Sequence, residues 1–212
     1  MRLDPFYLIV DSAEWIERLV PWGVKLVQLR IKDRPETMMR QEIRRSKTVC
    51  LAYGCQLIVN DYWRFAIDEG CDFIHLGQED LAEADLGAIR RAGLKLGVST
   101  HDVAELDTAL AVEPDYVALG PVWPTILKKM KWQPQGVDRV ADWKQRIGAL
   151  PLVAIGGITA ERAPLVLGQG ADSAAVVTDI TLHPDPEARI GQWLAATARW
   201  RHEQGMRDSN FI

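Results

Sequence analysis

Short apolar runs alternate along this chain with longer segments whose apolar residues recur at helical spacing. The runs are FYLIV at 6–10, LVQLRI at 26–31, QLIVN at 56–60, FIHLG at 73–77, KLGVST at 95–100, YVALG at 116–120, PLVAIGG at 151–157 and SAAVVT at 173–178. Short apolar runs of this kind, each followed by a turn, predict buried strands. The intervening segments carry helix signals. Ser12 stands where it can cap a helix whose polar face holds Glu14, Glu17 and Arg18. Asp102 and Thr159, the latter with Arg162, begin further segments of this kind. The last helical stretch, from about Pro186 to His202, places Ile190, Trp193, Leu194 and Ala198 near one face.

Near-continuous apolar strands separated by helices predict the α/β class, with a parallel sheet covered on its outer faces. A closed (β/α)8 barrel and an open doubly wound sheet both meet that description. Eight repeats favour a compact, eight-stranded parallel TIM barrel, and no glycine-rich dinucleotide fingerprint follows the first strand. No Pro/Gly/Ser-rich linker divides the chain. Residues 1–204 therefore read as a single domain, with 205–212 as a polar, loose tail.

One connection is long. PVWPTILKKMKWQPQGV at 121–137 carries Lys128, Lys129 and Lys131 beside Trp123 and Trp132. Long loops in compact barrels are commonly functional lids, with a solvated charged loop as the plainer alternative. Closure over a bound ligand is expected, because Lys128 otherwise stays far from the barrel mouth.

Composition narrows the function classes. The chain of 212 residues is 48% hydrophobic and 25% charged, ordinary for a globular protein, with a formal net charge of −4. Interspersed acids and bases give no general attraction for nucleic acid or an anionic membrane. No apolar run is long enough to span a bilayer, and the N-terminus lacks a signal-peptide pattern. Cys50, Cys55 and Cys71 have no CxxC spacing, so small buried thiols in a reducing compartment, the cytoplasm, are expected. Most of the eight tryptophans are expected to pack in the core or along sheet–helix seams. Self-association is left open.

In such a barrel the chemistry sits at the C-terminal ends of the strands. Strand two ends in Gln28, Arg30 and Lys32, whose period of two puts them on one strand face. That face suits anions, and the alternative is pairing with acids of the neighbouring strand. Asn60 and Asp61 follow at strand three, and His75, Gln78 and Asp80 at strand four. Two converging carboxylates can hold a hard cation while leaving room for water and phosphate oxygens, although helix capping is the commoner role for Asp in this position. Strand five supplies Ser99, Thr100 and His101, the last more often a hydrogen-bonded structural residue than a catalyst. IGGIT at 155–159 and VVTDI at 176–180 fall after strands seven and eight, where barrels commonly bind phosphate through backbone N–H groups. The layout is one metal-assisted anion site and one neutral one.

The chain resembles the thiamine phosphate synthase family from FYLIVD through VVTDI. The matching blocks are QLRIK (28–32), VNDYWRFAI (59–67), FIHLGQEDL (73–81), LGVSTHD (96–102), DYVALGPVWPT (115–125) and AIGGIT (154–159). The resemblance implies condensation of hydroxymethylpyrimidine diphosphate with a thiazole phosphate, two small phosphorylated substrates. Arg30, Lys32 and Lys128 would act on the departing diphosphate. Gln28, Asn60 and Ser99 would join them in binding the pyrimidine diphosphate. Asp61 and Asp80 would hold Mg²⁺. Thr125, the position of Leu127, Gly157, Val177 and Thr178 would receive the thiazole phosphate. Pyrophosphate would leave first, and the thiazole nitrogen would attack the resulting carbocation.

Three positions depart from the family pattern. Leu127 stands where a second threonine is usual, Thr178 replaces a serine, and Asp179 replaces a small neutral residue. A carboxylate at Asp179 would repel phosphate unless it points away. A related thiazole tautomerase, with His101 as acid/base, and a non-catalytic barrel binding thiazole or thiamine phosphates are the alternative readings.

Overall fold

The computed structural model describes residues 2–32, 34–125 and 132–209, the side chains of 204–209 excepted. Eight parallel strands close into a barrel in chain order: β1 (Phe6–Val10), β2 (Leu26–Leu29), β3 (Gln56–Asn60), β4 (Phe73–Leu76), β5 (Lys95–Thr100), β6 (Tyr116–Leu119), β7 (Leu152–Ile155) and β8 (Ser173–Val176). The ring closes where Tyr7 of β1 stands in register with Ala175 of β8. All eight apolar runs become strands, and closure removes the open-sheet alternative.

Alternation along each strand divides the core in two. Phe6, Leu8, Val27, Leu57, Ile74, Leu96, Val117 and Leu152 face the helices in one large cluster. Tyr7, Ile9, Leu26, Ile58, Phe73, Tyr116, Ala118, Val153 and Ala175 fill the barrel interior in a second. By the same parity Gln28, Asn60, His75 and Ser99 take the next interior positions toward the strand C-termini. The mouth is thus lined with polar side chains on β2–β5 and with small or apolar ones on the other side, Ala118 of β6, Ile155 of β7 and Val177 just after β8.

Several local details differ from the sequence expectation. Ser12 makes no side-chain cap bond on the helix Ala13–Leu19. The helix's first amide, Ala13 N, donates to the Glu42 carboxylate at 2.5 Å, so a neighbouring helix satisfies this helix start. Asp102 does cap its helix, accepting from Glu105 N at 2.9 Å. The last helix runs Pro186–Ser209, longer than its apolar pattern indicates, and 210–212 lie outside the described residues. On its inner face Thr197 is buried where Ala198 was expected, and Ala198 is exposed. The Thr197 hydroxyl returns to Trp193 O at 2.9 Å, which allows it to be buried beside Ile190 and Trp193.

No helix among the described residues is long and apolar enough to cross a membrane. Cys50 and Cys55 are buried and all three thiols are free. Trp143 and Trp193 are fully buried, whereas Trp22 is exposed.

Candidate active site

Strand β2 ends at Leu29, so of the Gln-Arg-Lys set only Gln28 lies within the regular strand. Gln28 is buried, and its amide donates to the Tyr7 hydroxyl at 2.8 Å. Arg30 continues alongside β1, its backbone N–H on Val10 O at 2.8 Å. Lys32 lies in the loop beyond, half exposed, with Nζ 4.0 Å from Asp61 Oδ2. Pairing with an acid of the neighbouring strand is therefore present. It leaves the ammonium at the mouth rather than inside the barrel.

Asn60 closes β3, and its amide donates to Asp61 Oδ2 at 2.5 Å. Asp61 itself has a positive φ of 64°, a conformation few non-glycine residues adopt, which is a reason to look for function there. Its N–H is held by His75 O at 2.9 Å, so β4 fixes the turn that aims the carboxylate. Asp80 lies in the first turn of the helix Gln78–Glu83, and its carboxylate is within hydrogen-bonding reach of Asp61. Burial, then the neighbouring Asp80 charge, push the Asp61 carboxyl up to about 6 against the opposing pull of Lys32 and Arg30. Neither aspartate caps a helix through its side chain. Tyr62 and Gly77 hold those N-cap positions.

These two carboxylates fit a hard divalent cation. They lie beside one another and offer only oxygen donors. No cluster of three or more His, Cys, Asp or Glu suited to a metal occurs among the described residues, so water and substrate oxygens would complete the shell.

Three aromatic side chains that the strand pattern left without a role connect the polar wall. Tyr7 OH lies 3.1 Å from Tyr116 OH. Tyr116 OH lies 2.7 Å from His75 Nδ1, and His75 Nε2 lies 2.8 Å from Ser99 Oγ. Burial, reinforced by the positive charge of Arg30, pulls the His75 imidazole down to about 4, so the ring is neutral at neutral pH. Burial also holds the Tyr7 and Tyr116 phenols well above their ordinary range. The available signal was parity. A tyrosine at an interior position of a strand needs a partner for its hydroxyl. Gln78 donates to Ser99 O at 2.7 Å and so ties β5 to the helix that carries Asp80.

Thr100 faces outward, bonding Ala118 O at 2.9 Å and receiving Trp143 Nε1 at 3.0 Å, and so belongs to the scaffold. His101 Nδ1 meets Glu105 Oε2 at 2.7 Å, and its ring stacks on Trp132 with centroids 4.0 Å apart. Both contacts fit the structural role.

On the other half of the mouth, Gly156 and Gly157 have φ values of 103° and 61°. A Cβ at Gly157 would lie 2.5 Å from Pro124 O and 2.7 Å from Trp123 Cβ. The two glycines thus let the segment Pro121–Pro124, which leads into Thr125, approach the end of β7. Gln135 N donates to Pro121 O at 2.8 Å and Gly136 N to Val122 O at 3.0 Å, anchoring the return leg of the loop. Leu127 and Lys128, with the rest of 126–131, lie outside the described residues. Val177 precedes the short helix Thr178–Thr181, whose first amides have no intrahelical acceptor.

Asp179 does not face a phosphate unpaired. Its oxygens accept Arg189 Nε and Nη2 at 2.8 Å each, and Trp193 Nε1 at 2.8 Å. Arg189 also binds the Glu161 carboxylate through two bonds of 2.8 and 2.9 Å. The charge that breaks the family pattern is neutralised by the last helix.

The family model described as thiamine monophosphate synthase matches residues 6–180. The chain is 80% identical over 201 residues, 95% of its length and 98% of the relative's, to a thiamine-phosphate synthase of Rhizobium etli. It is 49% identical, covering 95% of itself and 93% of the relative, to a thiamine-phosphate synthase of Cronobacter sakazakii. Among solved structures it superposes on a thiamine phosphate pyrophosphorylase from Pyrococcus furiosus with a TM-score of 0.83, at 24% identity over 93% of this chain and 96% of that one. A 3-hexulose-6-phosphate synthase shares the fold at a TM-score of 0.66 and 16% identity, covering 91% of this chain and 99% of that one.

Proposed function

The chain belongs to the thiamine monophosphate synthase family, and we propose how its own residues divide the work of that synthesis. The activity is condensation of 4-amino-2-methyl-5-hydroxymethylpyrimidine diphosphate with thiazole phosphate, giving thiamine phosphate and pyrophosphate. The polar wall of β2–β5 takes the pyrimidine diphosphate. Gln28, Asn60 and Ser99 meet the ring, and Arg30, Lys32 and Lys128 meet the phosphates. The apolar half, with Thr125, the backbone of Gly157, Val177 and Thr178, takes the thiazole phosphate, and Leu127 adds no hydroxyl there.

The observation that carries this division is the Asp61–Asp80 pair facing Lys32 at the end of β3. Acids and a cation at one mouth suit a metal-bound diphosphate better than either substrate's ring. Asp61 and Asp80 would hold Mg²⁺, which supplies positive charge beside the leaving pyrophosphate. The C–O bond to the diphosphate breaks with its electron pair on oxygen, and the thiazole nitrogen lone pair forms the new C–N bond at the methylene carbon. Arg30, Lys32 and Lys128 stabilise the charge that collects on the departing group. The apolar half holds the nucleophile close to the cation and keeps water away from it. No proton need move in this step, so the Ser99–His75 hydrogen bond serves binding and not base catalysis. The free thiols suit a reducing, cytoplasmic setting.

Pyrophosphate release from both substrates with Mg²⁺ tests the reading. Release should depend on both substrates and fall in Asp61→Ala and Lys32→Ala. A purified protein that releases none would overturn it. Turnover of thiazole phosphate alone, lost in His101→Ala, would indicate the tautomerase.

A further inference from the structure

Gln28 and Ser99, the two polar residues at opposite ends of the interior network, are joined by one continuous hydrogen-bonded chain through Tyr7, Tyr116 and His75. Gln28 Nε2 donates to Tyr7 OH, so that oxygen has accepted and its own hydrogen must go elsewhere. Tyr7 is buried away from water, and Tyr116 OH at 3.1 Å is its other partner among the described residues. Tyr116 therefore accepts from Tyr7 and donates to His75 Nδ1 at 2.7 Å. An accepting Nδ1 places the ring proton on Nε2, which donates to Ser99 Oγ at 2.8 Å. With the Gln28 amide nitrogen facing Tyr7, the reverse direction strands the Tyr7 hydrogen. A doubly protonated imidazole strands it too, because Tyr116 would then have to donate to Tyr7.

The scaffold is shaped to keep this chain intact. A Cβ at Gly97 would lie 2.1 Å from Tyr116 Cζ and 2.6 Å from its hydroxyl oxygen. Strand β5 thus gives up a side chain two residues before Ser99 to make room for the phenol that orients His75. The Tyr116 ring also stacks on His75 with centroids 5.5 Å apart.

We infer that Tyr7, Tyr116 and His75 are positioning residues that set hydrogen-bond polarity at the mouth, presenting Ser99 as a donor to an acceptor atom of the substrate. This rests on the reading that Ser99 meets the pyrimidine. For an aminopyrimidine, a serine donor selects a ring nitrogen over the exocyclic amino group.

Two-bond ¹H–¹⁵N correlation spectra of histidine-labelled protein, with His75 assigned by its absence in His75→Asn, read the tautomer directly. The expected result is a protonated Nε2 and an unprotonated Nδ1 at neutral pH. An Nδ1–H ring or an imidazolium would overturn the proposal, and the tautomer is read on the unmodified protein, the variant serving for assignment alone. Tyr116→Phe removes the donor to Nδ1. It should shift the His75 resonances toward a tautomer mixture and raise KM for the pyrimidine diphosphate about tenfold, the worth of one hydrogen bond. KM for thiazole phosphate should stay within about twofold. Equal changes in both KM values, or none in either, would overturn the positioning role. Ser99→Ala with an unchanged KM for the pyrimidine diphosphate would remove the Ser99 contact itself, and with it the selection of a ring nitrogen, whatever the tautomer.

Discussion

Asp179 and Arg189 meet through two parallel hydrogen bonds of 2.8 Å, tying the segment after β8 to the last helix. Both side chains are largely buried, at 14% and 10% exposure, so neither charge is well served by water alone. The same carboxylate accepts Trp193 Nε1 and, at 3.2 Å, Ala160 N from the segment after β7. One side chain therefore fastens both backbone segments proposed to hold the thiazole phosphate.

Removing that carboxylate should cost stability more than catalysis. Asp179→Ala leaves Arg189 with the exposed Glu161 carboxylate and the Gln192 amide oxygen, and a loss of about 3 kcal/mol is expected from breaking a buried pair. Urea denaturation measures it, and a loss under about 0.5 kcal/mol would show that the pair is not structural.

Asp61 gives a pH signature. Its folded pKa of about 6 lies above the unfolded value of 3.8, so the folded state binds the proton more tightly. The contribution of Asp61 is therefore most favourable below the unfolded pKa and is lost as pH rises through about 4 to 6. Asp61→Asn in chelator should gain stability relative to the parent across that window and then plateau. Mg²⁺ should stabilise the parent above this window and have little effect on the variant. A stability difference that stays flat with pH would count against the raised carboxyl.

Lys32 is half exposed and contributes little to packing. Lys32→Ala should leave the thermal midpoint nearly unchanged while lowering kcat about a hundredfold, as for other donors aimed at developing charge. Steady-state kinetics at saturating substrates checks this. An unchanged kcat would remove Lys32 from the diphosphate site.

Gly157→Ala tests the other half of the mouth. The new Cβ would meet Pro124 O at 2.5 Å on a residue with φ of 61°, so the 121–125 segment must move. Destabilisation of about 1–3 kcal/mol is expected, together with a higher KM for thiazole phosphate. The KM for the pyrimidine diphosphate should change little, and a larger effect on that substrate would contradict the division of the mouth.

Much of this molecule can be read along the chain. Eight apolar runs identify eight strands because burial on both faces of a parallel sheet leaves no polar alternation to blur them. Charged and amide side chains at the strand ends mark the mouth, because such groups are costly anywhere else inside a barrel. Gln28, Asn60, Asp61 and Asp80 stand out on that ground alone. Their partners do not. Tyr7 and Tyr116 are 109 residues apart in the chain, and only barrel closure makes them neighbours. Asp179 looks like a misplaced charge until the last helix folds back and sets Arg189 against it. The Gly156-Gly157 pair reads as a simple turn until β6 and β7 bring Trp123 and Pro124 against it. Sequence periodicity records what each residue prefers to be buried with, which is enough for elements and for the sign of a site. Which hydroxyl donates to which nitrogen depends on distances across the barrel, and those exist only once the ring has closed.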